Sequence, residues 1–581
     1  MPCTTLLVGK DASYDGSTII ARNDDSGGGK FTPKKMVVVK PGDQPRMYES
    51  VISHVKIPLP DHPLRYTAVP DAVEGEGFWA AGGINEANVG MTACETISAN
   101  ERVLGADPLL TCQIGDSPAA SGTAAALSAK EGRTGCCREA SAEDAEETCC
   151  GAEPASASDG CAPAGSLLYG VKNPEKPMPG GIGEEDMVVL VLPYIRSARE
   201  GVKRLGALLE EYGTYEMNGI AFSDVNEIWY LESIGGHHWM ARKVPDHACA
   251  IIPNQLSIDF FDLDDALGEQ KENMCSADLK EFIEDNHLDL ELPFAAGPHG
   301  PGGPGRDPFR GPHHGPGPGP FGGPDGHHQG PEPRPEECEC PPPHRIINVR
   351  LAFGTHDDAD HVYNTPRAWY MGRCLAPHAF RWDGPGADFT PESDDIPWCI
   401  VPERRVTVED VKYILSSHYQ GTPFDPYGSY GDASRRGAYR SIGINRTDFL
   451  AILQIRPDHP EESRAVEWLS FASNAFNVSV PFYSNVAQMP AYLMNTTEKV
   501  STESFYWSAR LIAALADACI QKNMNPVEMY QASVSAKGHA LIGRYDRLQA
   551  QAGTEQEAEA LRQQANEEIA AMLREETERT L

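Results

Sequence analysis

Apolar and polar residues fall in short strand-like runs through the first half of the chain and at helical spacing later. "TTLLVGK" and "TIIARND" flank "DASYDGS", whose Asp15-Gly16 is a hairpin turn signal, so the chain opens on two antiparallel strands. "GFWAAGGI" and "VGMTACETI" repeat the pattern around "NEAN". "GIAFSDVNEIWYLESIGGHHWMARKVPDHACAIIPNQ" predicts a strand meander punctuated by Asp-Val-Asn and Gly-Gly. Between these regions lies a predicted helix: Ser197 and Glu200 form a capping-box pattern, and Ala198, Val202, Leu205, Leu208 and Tyr212 form one apolar stripe. After residue 405 helices are expected to dominate. Thr554 and Glu557 open the last one, with Ala558, Leu561, Ala565, Ile569 and Met572 on a face. Antiparallel strands with segregated helices predict a layered α+β fold.

Two stretches break this texture. Residues 114–183 are rich in Ala, Gly, Ser, Pro and Glu and hold Cys136, Cys137, Cys149, Cys150 and Cys161. Residues 296–343 are dominated by Gly and Pro. Neither composition builds a core. Both read as disordered insertions in one larger domain, because globular sequence resumes on either side and long insertions cost little closure entropy.

Charge narrows the partners. The 581 residues carry a net charge of −35, which repels nucleic acid and anionic membrane. No run approaches the roughly 20 apolar residues of a membrane span, and residues 1–30 lack the basic and apolar regions of a signal peptide. A soluble, cytoplasmic protein is expected. Its 15 cysteines then read as mostly reduced thiols.

Against that background Cys3, near the head of a buried strand, suggests a nucleophile. A cysteine that becomes the first residue has a base beside it, its own α-amine, which titrates at about 7.7–8.0 in reference peptides. That amine takes the thiol proton directly or through water, so no distant histidine is required. Donors for the tetrahedral oxyanion and a cation for the thiolate are still needed. Arg22 and Asp25 lie at the end of the second predicted strand, where antiparallel pairing returns them toward residue 3.

"CTTLLVGKDASYDGSTIIARNDDS" resembles the start of the bacterial dipeptidase A family of cysteine peptidases. The match continues through "GGINEANVGMTACETISANERVLGADPLL", "GIGEEDMVVLVLPYIRSAREGV", "IIPNQLSIDFFD", "HVYNTPRAWYMGR", "AVEWLSFASNAFNVSVPFY" and "STESFYWSARLIAALADA". It covers nearly the whole chain apart from the two insertions and the final helix. That family belongs to the N-terminal-nucleophile hydrolases, with penicillin V acylase and conjugated bile acid hydrolase as relatives. The resemblance implies a four-layer αββα sandwich with two antiparallel sheets, a helical C-terminal part, and hydrolysis of dipeptides. It implies no metal and no organic cofactor, and leaves a homo-oligomer open. The hydrolase domain is expected over 3–553, followed by an amphipathic helix over 554–581.

Carried onto this sequence, the resemblance makes Cys3 the nucleophile and its freed amine the general base. Arg22 sits by the sulfur and Asp25 orients the amine. The side-chain amide of Asn254 helps form the oxyanion hole, and Arg367 is a second site arginine, with Arg373 six residues on. The acylases place another asparagine where this chain has Glu95. A carboxylate repels an oxyanion, so Glu95 is expected to hold the free ammonium of a dipeptide. His237 and His238 would point to opposite faces of a strand and are expected to be structural. The mechanism also requires loss of Met1 and then Pro2, by self-cleavage or an aminopeptidase.

Three other readings exist. One is an acylase of the bile acid conjugate or penicillin V type. Another is a Cys/His protease using an internal residue such as Cys94, for which nothing local speaks. The third is metal binding by His299, His313, His314, His327, His328, Cys338, Cys340 and the doubled cysteines, whose spacings match no defined zinc module.

Overall fold

The expected hairpin is present. Strands β1 (Cys3–Val8) and β2 (Thr18–Asp25) pair antiparallel, with Cys3 opposite Asp24 and Val8 opposite Ile19. Gly16 turns the chain at φ +79°, a left-handed value that glycine adopts at little cost, and the Asp15 carboxylate accepts the Ser17 amide. Both strands are buried at every position instead of alternating, the mark of a strand covered on two faces. This computed structural model describes residues 3–27, 30–92, 95–112, 178–290, 345–429 and 431–581.

Two antiparallel sheets of seven strands each organise the chain. The further strands are β3 (Gly82–Ile84), β4 (Gly90–Thr92), β5 (Glu95–Thr96), β6 (Asn218–Ser223), β7 (Ile228–Ile234), β8 (His238–Lys243), β9 (Cys249–Ile252), β10 (Asn273–Cys275), β11 (Cys399–Ile400), β12 (Thr447–Ile455), β13 (Ala465–Phe471) and β14 (Val480–Tyr483). The first sheet runs β11-β9-β1-β2-β12-β13-β14. The second runs β10-β8-β7-β6-β4-β3, with β5 also pairing β6. They meet where Gly90 packs on Ile20 and Leu453, each 3.5 Å from the position a Cβ would take.

Helices dominate after residue 405 as expected, but strands β12 to β14 stand among them. "FLAILQI" and "AVEWLSF" are buried at every position, so they carry neither the period of a half-buried strand nor that of an amphipathic helix. Their place in the middle of a covered sheet is a tertiary fact.

The helices that matter here are α1 (Glu184–Val191), α2 (Ala198–Tyr212), α3 (Thr365–Leu375), α4 (Val408–Leu415), α5 (Phe505–Ala518), α6 (Ile520–Gln549) and α7 (Glu555–Thr580). Ser197 caps α2 by accepting the Glu200 amide, but the Glu200 carboxylate takes the Arg196 amide, so the capping box is half formed. Glycines let α2 lie close on the second sheet: a Cβ on Gly201 or Gly206 would stand 2.4 Å from the rings of Phe222 or Trp239. Thr554 caps α7 as expected. Asn566 on that helix is fully buried. Its amide accepts from the Tyr483 N–H at 2.9 Å and donates to the Tyr483 carbonyl at 3.0 Å, closing the edge of β14 as another strand would.

The proposed insertion 114–183 lies outside the described residues only as far as 177. Met178–Pro179 form a strand, and Ile182 is fully buried. The stretch 296–343 lies outside the described residues, and with it the His- and Cys-rich candidates from His299 to Cys340 and the doubled cysteines. Cys94 lies outside them too. Among the described residues no helix is long and apolar enough to cross a membrane.

Candidate active site

Cys3 begins β1 and is fully buried. Residues opposite one another in an antiparallel pair share a face. Cys3 therefore shares its face with Asp24, and Thr5 with Arg22. Arg22 Nη2 donates to Cys3 Sγ at 2.8 Å, and lies 3.0 Å from Glu184 Oε1 and 3.4 Å from Asp24 Oδ1. The thiol faces Asp24 Oδ1 at 3.8 Å. Burial pushes the thiol's pKa up, the Arg22 guanidinium pulls it down, and the Asp24 carboxylate pushes it up again.

Cys3, Asp24 and Glu184 offer three ligand atoms within 4.8 Å of one another, the one such group among the described residues. The Arg22 guanidinium already contacts all three, so the cluster is built around a resident cation.

A second set of contacts holds the backbone of Cys3. Its N–H donates to Asn254 Oδ1 at 2.9 Å. Arg367, at 0% exposure, donates to the Cys3 carbonyl, to Thr4 Oγ1 at 2.7 Å and to Asn254 Oδ1 at 2.9 Å. Asn254 Nδ2 donates to the Thr96 carbonyl at 3.0 Å. The amide of Asn254 thus turns its oxygen toward the Cys3 nitrogen. Arg373 is elsewhere, paired with Asp383 at 3.1 Å, so of these two arginines it is Arg367 that contacts Cys3.

The residue opposite Cys3 is Asp24, and Asp25 comes next along β2. Alternation along β2 puts Asp25 on the other face, where the register against β12 skips Asp448. There it pairs with Arg440 and accepts from Thr447 Oγ1 at 2.6 Å. Asp24 is the β2 carboxylate beside the sulfur. It is itself clamped: Lys34 Nζ lies 3.0 Å from Asp24 Oδ2 and 2.6 Å from Asp71 Oδ1, with all three groups buried. Burial opposes ionisation of Asp24, but Lys34 and Arg22 hold its pKa below the ordinary value.

Glu95 enters the site through its backbone, pairing with Gly219 one residue before the Thr96 carbonyl that Asn254 grips. His237 and His238 do converge, against expectation, because His237 stands in the turn before β8. Both direct Nδ1 at Asp107, at 3.3 and 2.8 Å. This arrangement pins a turn and lies outside the Cys3 contacts.

Asp24, Glu184, Lys34 and Arg440 were absent from the sequence-based set. Glu184 carried one usable signal, an acidic run "GEED" opening an apolar helix beside the insertion. Lys34 and Arg440 carried none, since cations outside any motif look like surface charge.

Residues 2–533 match the family model described as peptidase family C69. The chain is 50% identical over 571 residues to "Dipeptidase" of Bifidobacterium longum, covering 98% of this chain and 87% of that one. It is 43% identical to "Probable dipeptidase A" of Streptococcus pyogenes (93% and 89% covered) and 36% identical to "Probable dipeptidase B" of Lactococcus lactis (98% and 92%). With a match that starts one residue before the buried cysteine and runs through both sheets, the chain belongs to peptidase family C69.

Proposed function

We propose that this protein is a dipeptidase in which Cys3, freed of residues 1 and 2, is an N-terminal nucleophile on a four-layer αββα hydrolase fold. The observation that carries the proposal is the Arg22 guanidinium 2.8 Å from Sγ, with the nitrogen that would become the free amine held 2.9 Å from Asn254 Oδ1. The packing of α2 on the outer face of the second sheet, and of the two sheets on each other, supports the layered fold. The names of the relatives support dipeptides as substrates.

In this mechanism the free amine accepts the thiol proton and Arg22 stabilises the thiolate. The thiolate attacks the carbonyl carbon of the dipeptide. The C–S bond forms and the carbonyl π pair moves onto oxygen, giving an oxyanion that hydrogen-bond donors at the site hold. The C–N bond then breaks, and the leaving amine takes the proton back from the Cys3 ammonium. Water, deprotonated by the same amine, hydrolyses the thioester and restores the thiol. Asn254 and Arg367 fix the amine through the contacts they make with Cys3. Glu95 is assigned the ammonium of the substrate.

The test is hydrolysis of a dipeptide panel beside glycocholate, with mass spectrometry of the N-terminal peptide of the active enzyme. Dipeptides are expected to be cleaved, the first residue is expected to be Cys3, and Cys3→Ala is expected to be folded and inactive. Pro2 still attached in fully active protein would overturn the free-amine mechanism. Glycocholate cleaved in preference to dipeptides would favour the acylase reading.

A further inference from the structure

A dipeptide carries a free carboxylate one residue beyond the bond that is cut. With the sulfur about 3–3.5 Å from the scissile carbon at attack, and one residue spanning about 3.8 Å, that carboxylate lies within about 7 Å of Sγ. In a chain with a net charge of −35 the cation that receives it has to be supplied locally.

Three guanidinium groups gather around Tyr363 at this end of β1. Arg367 and Arg440 each lie over its ring, 5.0 Å from the centroid. Arg446 Nη2 donates to its hydroxyl at 3.0 Å. The group adjoins the backbone of Cys3, whose carbonyl accepts from Arg367, and the next side chain, Thr4, whose Oγ1 accepts from Arg367 at 2.7 Å and from Arg440 at 3.3 Å. The Arg446 carbonyl accepts the Ser26 amide at 3.0 Å, which puts this residue just past the end of β2.

The three arginines differ in what they have left to give. Arg367 is fully buried and engaged with Cys3, Thr4, Asn254, Tyr363 and Asn364. Arg440 is paired with Asp25 and Thr4, while its buried Nε has no hydrogen-bond partner. Arg446 is half-buried, and among the described residues its guanidinium meets the Tyr363 hydroxyl and no carboxylate. The segment 433–446 holds Arg435, Arg436, Arg440 and Arg446 and no Asp or Glu. A guanidinium fork fits a carboxylate with two parallel hydrogen bonds.

We propose that Arg446, oriented by Tyr363 and backed by Arg440, binds the free α-carboxylate of the substrate and so sets the preference for dipeptides. The inference rests on the dipeptidase reading. A longer peptide would carry its carboxylate about 3.8 Å further away for each added residue.

The experiment compares Ala-Ala with its C-terminal amide, which keeps the ammonium and the scissile bond but lacks the negative charge. Matured wild-type enzyme is expected to favour the free acid by about tenfold or more in kcat/KM, mostly through KM, a scale set by a charge-assisted pair at a half-exposed position. Arg446→Gln is expected to shrink this preference to within about threefold, and Arg446→Lys to restore part of it. The preference is a ratio within one preparation, so a change in the folded fraction does not move it. Equal wild-type rates on acid and amide, or an unchanged preference in Arg446→Gln, would overturn the inference while leaving the dipeptidase intact. Failure of the wild type to cleave either substrate would overturn the dipeptidase reading and this inference with it.

Discussion

Replacing Arg22 by Gln separates the two things its guanidinium does. It is the cation at 2.8 Å from Cys3 Sγ, and it neutralises Glu184 at 3.0 Å and Asp24 at 3.4 Å. At an effective dielectric near 20, unit charges 2.8 Å apart attract by about 6 kcal/mol. Most of that is offset by the desolvation of both groups. What survives is the net value of a charge-assisted hydrogen bond, about 1.5–3 kcal/mol, or about 10- to 100-fold in rate. The sign follows from the thiol: burial raises its pKa and Arg22 lowers it, so loss of Arg22 raises it further. Arg22→Gln should lower kcat/KM on a dipeptide by that factor at neutral pH and move the acidic limb of its pH profile upward by about 1–2 units. Two buried carboxylates also lose a partner, a cost of about 3–5 kcal/mol that Lys34, still on Asp24, reduces. The assay is kcat/KM against pH, per active site, with urea unfolding alongside. An Arg22→Gln enzyme whose acidic limb coincides with the wild type, whatever its stability, would refute a role at the thiolate.

Asp24→Asn should shift the same limb to lower pH, since a carboxylate 3.8 Å from Sγ opposes the thiolate. Asp25→Asn, which faces Arg440 and Thr447, should leave it in place, and a reversed pattern would return the role to Asp25. Glu467 is fully buried, accepts from Thr67 Oγ1 at 2.9 Å, and burial pushes its pKa up to about 7. The folded state therefore keeps a proton that the unfolded chain releases above about pH 4.3, and stability from this group falls as pH rises toward 7. Relative to wild type, Glu467→Gln should gain up to about 3 kcal/mol between pH 4 and pH 8 in chemical denaturation; a gap that does not widen would refute this. Deleting 296–343 with a short Gly/Ser bridge should leave kcat within about threefold, because Asp289 and Arg345 on the two flanks already pair at 3.3 Å. A folded deletion without activity would show that the segment shapes the site.

Local chemistry was enough to read the first hairpin, the cap and stripe of α2 and the last helix, and it pointed to Cys3. Asp15-Gly16 makes its turn from two residues, Ser197 and Thr554 cap from within one helical turn, and Cys3 stands out because a terminal amine needs no distant base. Arg22 was legible for the same reason, being across a hairpin whose register the turn sets. The partners of these residues were not. Asp24 and Asp25 are neighbours of one chemistry, and the register of β1 against β2, which sets Cys3 opposite Asp24, decides which faces the sulfur. Glu184 comes to Arg22 from 162 residues away, Arg367 to the Cys3 carbonyl from 364, and Asn254 to its nitrogen from 251. Strands β12 and β13 hid in apolar runs because burial on both faces erases the alternation that marks a strand. Composition and spacing act over a few residues. The charges that tune Cys3 act across the interface between two sheets and their covering helices, so their assignment waits on the tertiary structure.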